Sequence, residues 1–163
     1  MHPEFEKIVK EVYKLRKKYR PSTIISLFTS ASRADKVSFD LIDKVFLKLD
    51  AGDEKTFQQV SRPKRQVTLA KIAEGIAKSK VKKKIIQTML FTGKISTMKS
   101  KSITGYIKLL EKIKPEEVHL YTILYKPSTT KIKPVKMKQL ERIAKWKRKQ
   151  IGCEVKCYTD LTM

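Results

Sequence analysis

The chain has 163 residues, 40% of them apolar, enough for a folded domain with its own core and too many for a disordered tail. Its 38 Lys and Arg against 16 Asp and Glu give a formal charge of +22, a surplus that favours polyanionic partners, because each neutralised phosphate releases condensed counterions. No stretch approaches the roughly 20 consecutive apolar residues that cross a bilayer, and the start Met1-His2-Pro3-Glu4 lacks the basic-then-apolar pattern of a signal peptide, so a soluble cytoplasmic protein without a membrane partner is expected.

Phe5, Ile8, Val9, Val12, Tyr13, Leu15 and Tyr19 recur at three- and four-residue steps and predict a helix with one buried face, stopped by Pro21. A buried strand follows at about 23–28, bounded by Pro21 and the stretch Thr29 to Arg33. A short helix is expected at Ser38 to Ile42, then a strand from Lys44 to Leu49 that ends at Asp50-Ala51-Gly52-Asp53. Glu54 to Val60 reads as one or two helical turns capped by Asp53, and Leu69, Ile72, Ala73, Ile76 and Ala77 mark a helix capped by Thr68. Next come a strand from Ile85 to Phe91 closed by Gly93, a helix from Ser102 to Ile113, and a strand from Val118 to Leu124. After a loop from Tyr125 to Pro134, a helix with Met137, Leu140, Ile143, Ala144 and Ile151 on one side ends at Gly152, before the strand Glu154 to Tyr158.

This alternation predicts an α/β fold of one domain over 1–163: a partial (β/α) barrel of about five parallel strands with helices outside and ligands at the carboxyl ends of the strands. Five parallel strands do not close alone, so the first is expected to leave an edge that something must cover.

Complete catalytic apparatus is not legible. Cys153 and Cys157 stand apart from His2 and His119, short of the converging ligands a metal needs, and along a strand the two thiols are too far apart for a simple bridge. There is neither a GxGxxG nor a GxxxxGK[ST] phosphate loop, and no G-x-S-x-G elbow. His119, inside an apolar strand, reads as a hydrogen-bonded core or barrel-facing histidine rather than a catalytic base. The charge surplus concentrates at 80–84, 131–138 and 145–149, making Lys82, Lys83, Lys84, Lys145, Lys147, Arg148 and Lys149 candidate nucleic-acid contacts. Tyr125 and Trp146 are the best aromatic candidates for base stacking.

Specific residues add a family resemblance. Lys48-Leu49-Asp50-Ala51-Gly52-Asp53-Glu54-Lys55-Thr56-Phe57 with Ser61-Arg62-Pro63 resembles the fourth-strand signature of one branch of the radical S-adenosylmethionine (radical SAM) iron–sulfur oxidoreductases. His2-Pro3-Glu4-Phe5-Glu6, Thr68-Leu69-x-Lys71-Ile72-x-Glu74-Gly75, Gln87-Thr88-Met89-Leu90, Pro115 to Thr122, Lys133-Pro134-Val135 and Gln139 to Ala144 are similar to further segments of the same half barrel, so the resemblance runs from residue 2 to about 158. It implies S-adenosylmethionine and a 4Fe-4S cluster as cofactors. The family's Cys-x3-Cys-x2-Cys cluster segment corresponds to nothing in this sequence, so the cluster is not expected on this chain alone and a separate amino-terminal portion, encoded upstream, is the expected partner.

Residue by residue, the resemblance carries Asp50 over as a contact to the ribose or methionine end of the cofactor, with Gln87 on the next strand. Thr29-Ser30-Ala31 stands where the family has Thr-Asn-Gly, placing Thr29 and Ser30 at the cofactor while the Asn and Gly are replaced. Gly93-Lys94-Ile95-Ser96 departs from the family's Gly-Ile-Asn-Asp loop, and Lys99-Ser100-Lys101-Ser102 replaces the acidic helix that follows it. Three readings follow: a truncated or split part of a radical SAM oxidoreductase, not catalytic without its missing segment; a basic RNA-binding module built on the half barrel; or an inactive relic. Substrate and oligomeric state are not encoded in any motif.

Overall fold

The computed structural model describes residues 2–159, apart from the side chains of 146–150. Five strands form one parallel sheet: β1 (Ser26–Thr29), β2 (Lys44–Lys48), β3 (Lys84–Met89), β5 (Glu117–Tyr121) and β7 (Glu154–Tyr158), in the order β1-β2-β3-β5-β7. Each strand lies beside its predecessor. Right-handed crossovers that always step the same way put every connecting helix on one face, as in a barrel and unlike a doubly wound sheet. The sheet does not close among the described residues. β1 is paired on one side only.

Helices α2 (Glu54–Ser61) and α3 (Leu69–Lys78) cross from β2 to β3, α4 (Ser100–Ile113) from β3 to β5, and α5 (Met137–Ile151) from β5 to β7. Their starts follow the sequence: Asp53 accepts from the backbone N–H of Thr56 at 3.0 Å and Thr68 from that of Lys71 at 3.3 Å, each satisfying an amide that the first turn leaves without a partner. Leu47, Ile86, Val118, Leu120 and Val155 point to the helical face and are fully buried with Ile76, Leu110 and Leu140.

Four expectations are corrected. Residues 38–42 make a turn closed by Ile42 N–H to Phe39 O at 3.0 Å, and the chain crosses from β1 to β2 without a helix. The apolar run 85–91 breaks after Met89: Leu90 still donates to Tyr121 O at 2.8 Å, but the Thr97 hydroxyl takes the Phe91 amide at 2.9 Å, and β4 (Phe91–Gly93) turns away to pair antiparallel with β6 (Ile132–Pro134). β6 lies within the segment 125–134, expected to be a loop; a run of three residues carries too little periodicity to be read as a strand. Helix α1 (Phe5–Tyr19) forms as its spacing predicts but buries no residue. Phe5 and Val9 pack at the margin of the core, against the β1–β2 connection, where Phe5 meets Phe39 edge-on at 6.3 Å and Arg16 pairs with Asp43 at 2.6 Å, while Ile8, Val12, Leu15 and Tyr19 stay exposed.

Candidate functional site

Two arrangements stand out on the sheet: a cavity at its carboxyl rim, between the strand ends and helices α2 and α3, and a set of side chains on the sheet face away from the core helices. The first is a cavity of about 700 Å³ at the carboxyl ends of β1 and β2, lined among others by Ser30, Ser32, Arg33, Lys48, Asp50, Ser61, Lys64 and Met89. Parallel sheets gather their loops at this rim, and a cavity of this size suits a nucleoside-sized ligand. Asp50 ends β2 and is only 4% exposed. Its Oδ1 accepts from the Met89 amide at 2.8 Å and its Oδ2 pairs with Lys48 Nζ at 3.2 Å, so one carboxylate ties the ends of β2 and β3 together. Burial raises the Asp50 pKa above the ordinary carboxylate value, with the Lys48 ammonium and the Met89 amide opposing it. Burial likewise raises the pKa of Tyr121, which interacts with Lys48.

The rim owes its shape to two glycines. Gly52, after β2, lies so close to α4 that a Cβ would overlap the backbone of Tyr106 and Ser102, and a Cβ on Gly105 would overlap the Gly52 carbonyl. Gly52 N–H donates to Ser102 Oγ at 3.1 Å. Beside them Tyr106 Oη hydrogen-bonds Thr88 Oγ1, which donates to Leu49 O at 2.9 Å, and burial carries the Tyr106 pKa far up, so the phenol stays protonated. Ala31 sits at φ 60, in the left-handed region where the resemblance placed a glycine.

The second arrangement lies below the rim, on the sheet face away from the core helices. The register sets Phe28, Phe46, Ile85, Glu117 and Glu154 in one row and Lys48, Gln87, His119 and Lys156 in the next. Glu117, 3% exposed, is held by Lys83 Nζ at 2.6 Å, His119 Nε2 at 2.8 Å and Lys156 Nζ. Burial alone would raise its pKa, but the hydrogen bonds from Lys156, Lys83 and His119 outweigh burial and bring it down to about 2. Four rings cross the sheet in sequence: Phe28 stacks on Phe46 at 4.4 Å and 4°, Phe46 meets His119 edge-on at 5.5 Å, and His119 meets Tyr158 at 5.2 Å.

Of the residues carried over from the resemblance, Asp50 and Ser30 line the rim cavity together. Gln87 is buried beside Lys48 in the ladder, below the rim. Thr29 alternates with Phe28 onto the helical side, and its hydroxyl accepts from the Ala31 amide at 3.2 Å. Among the lysine candidates, Lys82 is exposed before β3, Lys83 is paired with Glu117, Lys84 is half-buried with its amide donating to Glu116 Oε2 at 2.7 Å, and Lys145 is exposed on α5. The side chains of Lys147, Arg148 and Lys149, and that of Trp146, lie outside the described residues. Tyr125 is exposed in the loop before β6. Sequence reasoning missed Arg33, Lys48 and Lys64 at the cavity and the whole ring band, because residues 28, 46, 119 and 158 meet only through the strand register. Alternation within each strand could have found Lys48 and the ring residues, whereas Arg33 and Lys64 lie on loops that carry no such signal.

No protein-family model matches the chain. It is 30% identical over 140 residues to the UPF0026 protein MJ1312 of Methanocaldococcus jannaschii, covering 82% of this chain and 42% of that protein. It is 26% identical over 130 residues to the GTPase Obg of Brachyspira hyodysenteriae, covering 79% of this chain and 19% of that protein. The chain thus spans less than half the length of the curated relatives it matches. Among solved structures it is similar to TYW1 with a lysine-pyruvate adduct bound, with a TM-score of 0.62 and 14% identity over 90% of this chain and 45% of that one. It is also similar to a domain of pyruvate-formate lyase-activating enzyme from Bacteroides vulgatus, with a TM-score of 0.63 and 13% identity over 97% and 96% of the two chains. These likenesses establish the fold: a partial β/α architecture with a five-stranded parallel sheet flanked by helices.

Proposed function

We propose that this chain is the carboxyl-terminal part of a radical SAM-type barrel, that it binds S-adenosylmethionine at the rim cavity, and that a separate amino-terminal portion supplies the cluster and the reaction. The observation that carries the reading is the buried carboxylate of Asp50 at the end of a parallel strand, facing a nucleoside-sized cavity. It stands on a half barrel whose likeness extends to TYW1 and pyruvate-formate lyase-activating enzyme, both radical SAM family members.

The residues present fit S-adenosylmethionine. Asp50 keeps acceptor capacity beyond its two partners for a ribose hydroxyl or an ammonium, the hydroxyls of Ser30, Ser32 and Ser61 offer further polar contacts, and Leu49, Val60, Pro63 and Met89 supply apolar wall. An iron–sulfur cluster finds no ligand set: no group of three or more His, Cys, Asp or Glu is placed to hold a metal among the described residues. The chain's own part is to bind and orient the cofactor. The name of the Brachyspira relative adds no nucleotide triphosphatase chemistry, since the sequence holds no phosphate loop of the GxxxxGK[ST] kind.

Calorimetric titration tests the reading. S-adenosylmethionine is expected to bind saturably, and Asp50→Asn, which keeps an oxygen for the Met89 amide but loses the Lys48 ion pair, to weaken it about ten- to a hundredfold when both proteins are titrated well below the lowered thermal midpoint of the variant. Titration heats indistinguishable from dilution, or full affinity in the Asn variant, would remove the cofactor site.

A further inference from the structure

We infer that the sheet face of this half barrel is a stacking platform for single-stranded nucleic acid, bordering the rim cavity, with which it shares Lys48, and tested without reference to cofactor binding. Its floor is the ring pair at β1 and β2: Phe28 is the exposed ring, Phe46 and Tyr158 are half-buried, and His119, 7% exposed, is the buried link between them. Phe28 is 59% exposed, and its inner side is stacked on Phe46 at 4.4 Å. A large aromatic ring that is well exposed yet held parallel to a second ring offers a preordered flat surface to a planar ligand, with little side-chain entropy left to lose. Bases stack on such rings whatever their sequence, since each has a π-face.

The charge around the band fits a phosphodiester backbone. Glu117 and Asp50 are enclosed, while the lysines that pair with them, Lys83, Lys156 and Lys48, keep 42 to 55% of their side chains exposed. The buried acids thus anchor the lysine side chains while the ammonium groups face outward. Lys44 adds an exposed cation next to the ring pair, and Glu154, paired with Lys156 at 3.5 Å, is the one exposed acid in the two rows. Aromatic rings interleaved with lysines on an exposed sheet surface are the arrangement by which sheet-based domains hold unpaired bases and their phosphates. The formal +22 of the whole chain would steer such a strand to the surface and oppose self-association.

Fluorescence anisotropy with a labelled oligouridylate tests this, using an RNA duplex of equal length and inorganic polyphosphate as competitors. The single strand is expected to bind more tightly than either competitor at equal phosphate. Phe28→Ala should weaken it at least about fivefold with the salt dependence unchanged, and Phe28→Tyr should restore it. Lys44→Ala should lower the slope of log affinity against log salt by about 0.7, the share of one single-strand phosphate. Phe28 is exposed, so the thermal midpoint of its variants should stay at the wild-type value. Wild-type affinity in Phe28→Ala, or equal competition by polyphosphate, overturns the proposal. So does a full chain that ignores the oligonucleotide but self-associates until Phe28 is replaced, which would assign the face to a polypeptide.

Discussion

Glu117 shows how a residue given no role in the sequence reading comes to matter. It is a buried carboxylate at the start of β5, compensated by two lysines and a histidine from three strand regions. Its pKa falls from 4.5 to about 2 in the fold. The stability this represents is complete above the unfolded value and lost as pH drops through the folded one, and it amounts to no more than roughly 3 kcal/mol. Urea midpoints measured from about pH 5 down to about pH 2 should therefore fall in the wild type, and Glu117→Gln should be weaker at neutral pH but flatter over that window. A parallel decline in both proteins would place the acid sensitivity elsewhere. His119 was legible as a hydrogen-bonded histidine, in the core or facing the barrel, since an imidazole in an apolar strand needs a partner; that the partner is Glu117, two residues back on the same face, follows from strand alternation.

At the scale of elements, the starts of α2 and α3 were legible because a cap is a contact between near neighbours in sequence, and the limits of α1 because its apolar spacing ends before Pro21. Glu54 shows where locality ends: its carboxylate reaches across to the Leu69 amide at 2.8 Å and joins the starts of α2 and α3. The β4–β6 hairpin and the Gly52–Gly105 contact are long-range, and no local pattern announces them. Gly105 lies in the middle of α4, where a glycine costs about 1 kcal/mol against alanine in isolation. Here the sign reverses, because an added Cβ would collide with the Gly52 carbonyl. Gly105→Ala should destabilise the protein by several kcal/mol, through the kind of overpacking that backbone cannot absorb. Chemical denaturation of that variant beside Gly152→Ala, whose added Cβ meets nothing within 4 Å, separates crowding from ordinary backbone preference.

The whole molecule is a sheet with a protected centre and an exposed margin. β3 and β5 have neighbours on both sides, whereas β1 has one, and α1, the helix that precedes it in the chain, buries none of its residues. Hydrogen exchange should reflect this, with amides of β3 and β5 opening only in global unfolding and those of α1 and β1 exchanging through cheaper local opening. Equal protection throughout would mean that the margin is covered in solution. A single cooperative transition for the core would count against the relic reading, which expects poor cooperativity.

The sequence by itself determined the alternation of strands and helices, the parallel sheet and its order of use, the capped helices and the carboxylate at the end of the second strand. Each of these is written in hydrophobic period, chain-local capping or the handedness of crossovers. Only the tertiary structure decided which side chains share a face, how closely two glycines let a loop approach a helix, and that rings and lysines from separate strands converge away from the core. Those depend on register and interatomic distance between residues far apart in the chain, for which one-dimensional pattern has no term.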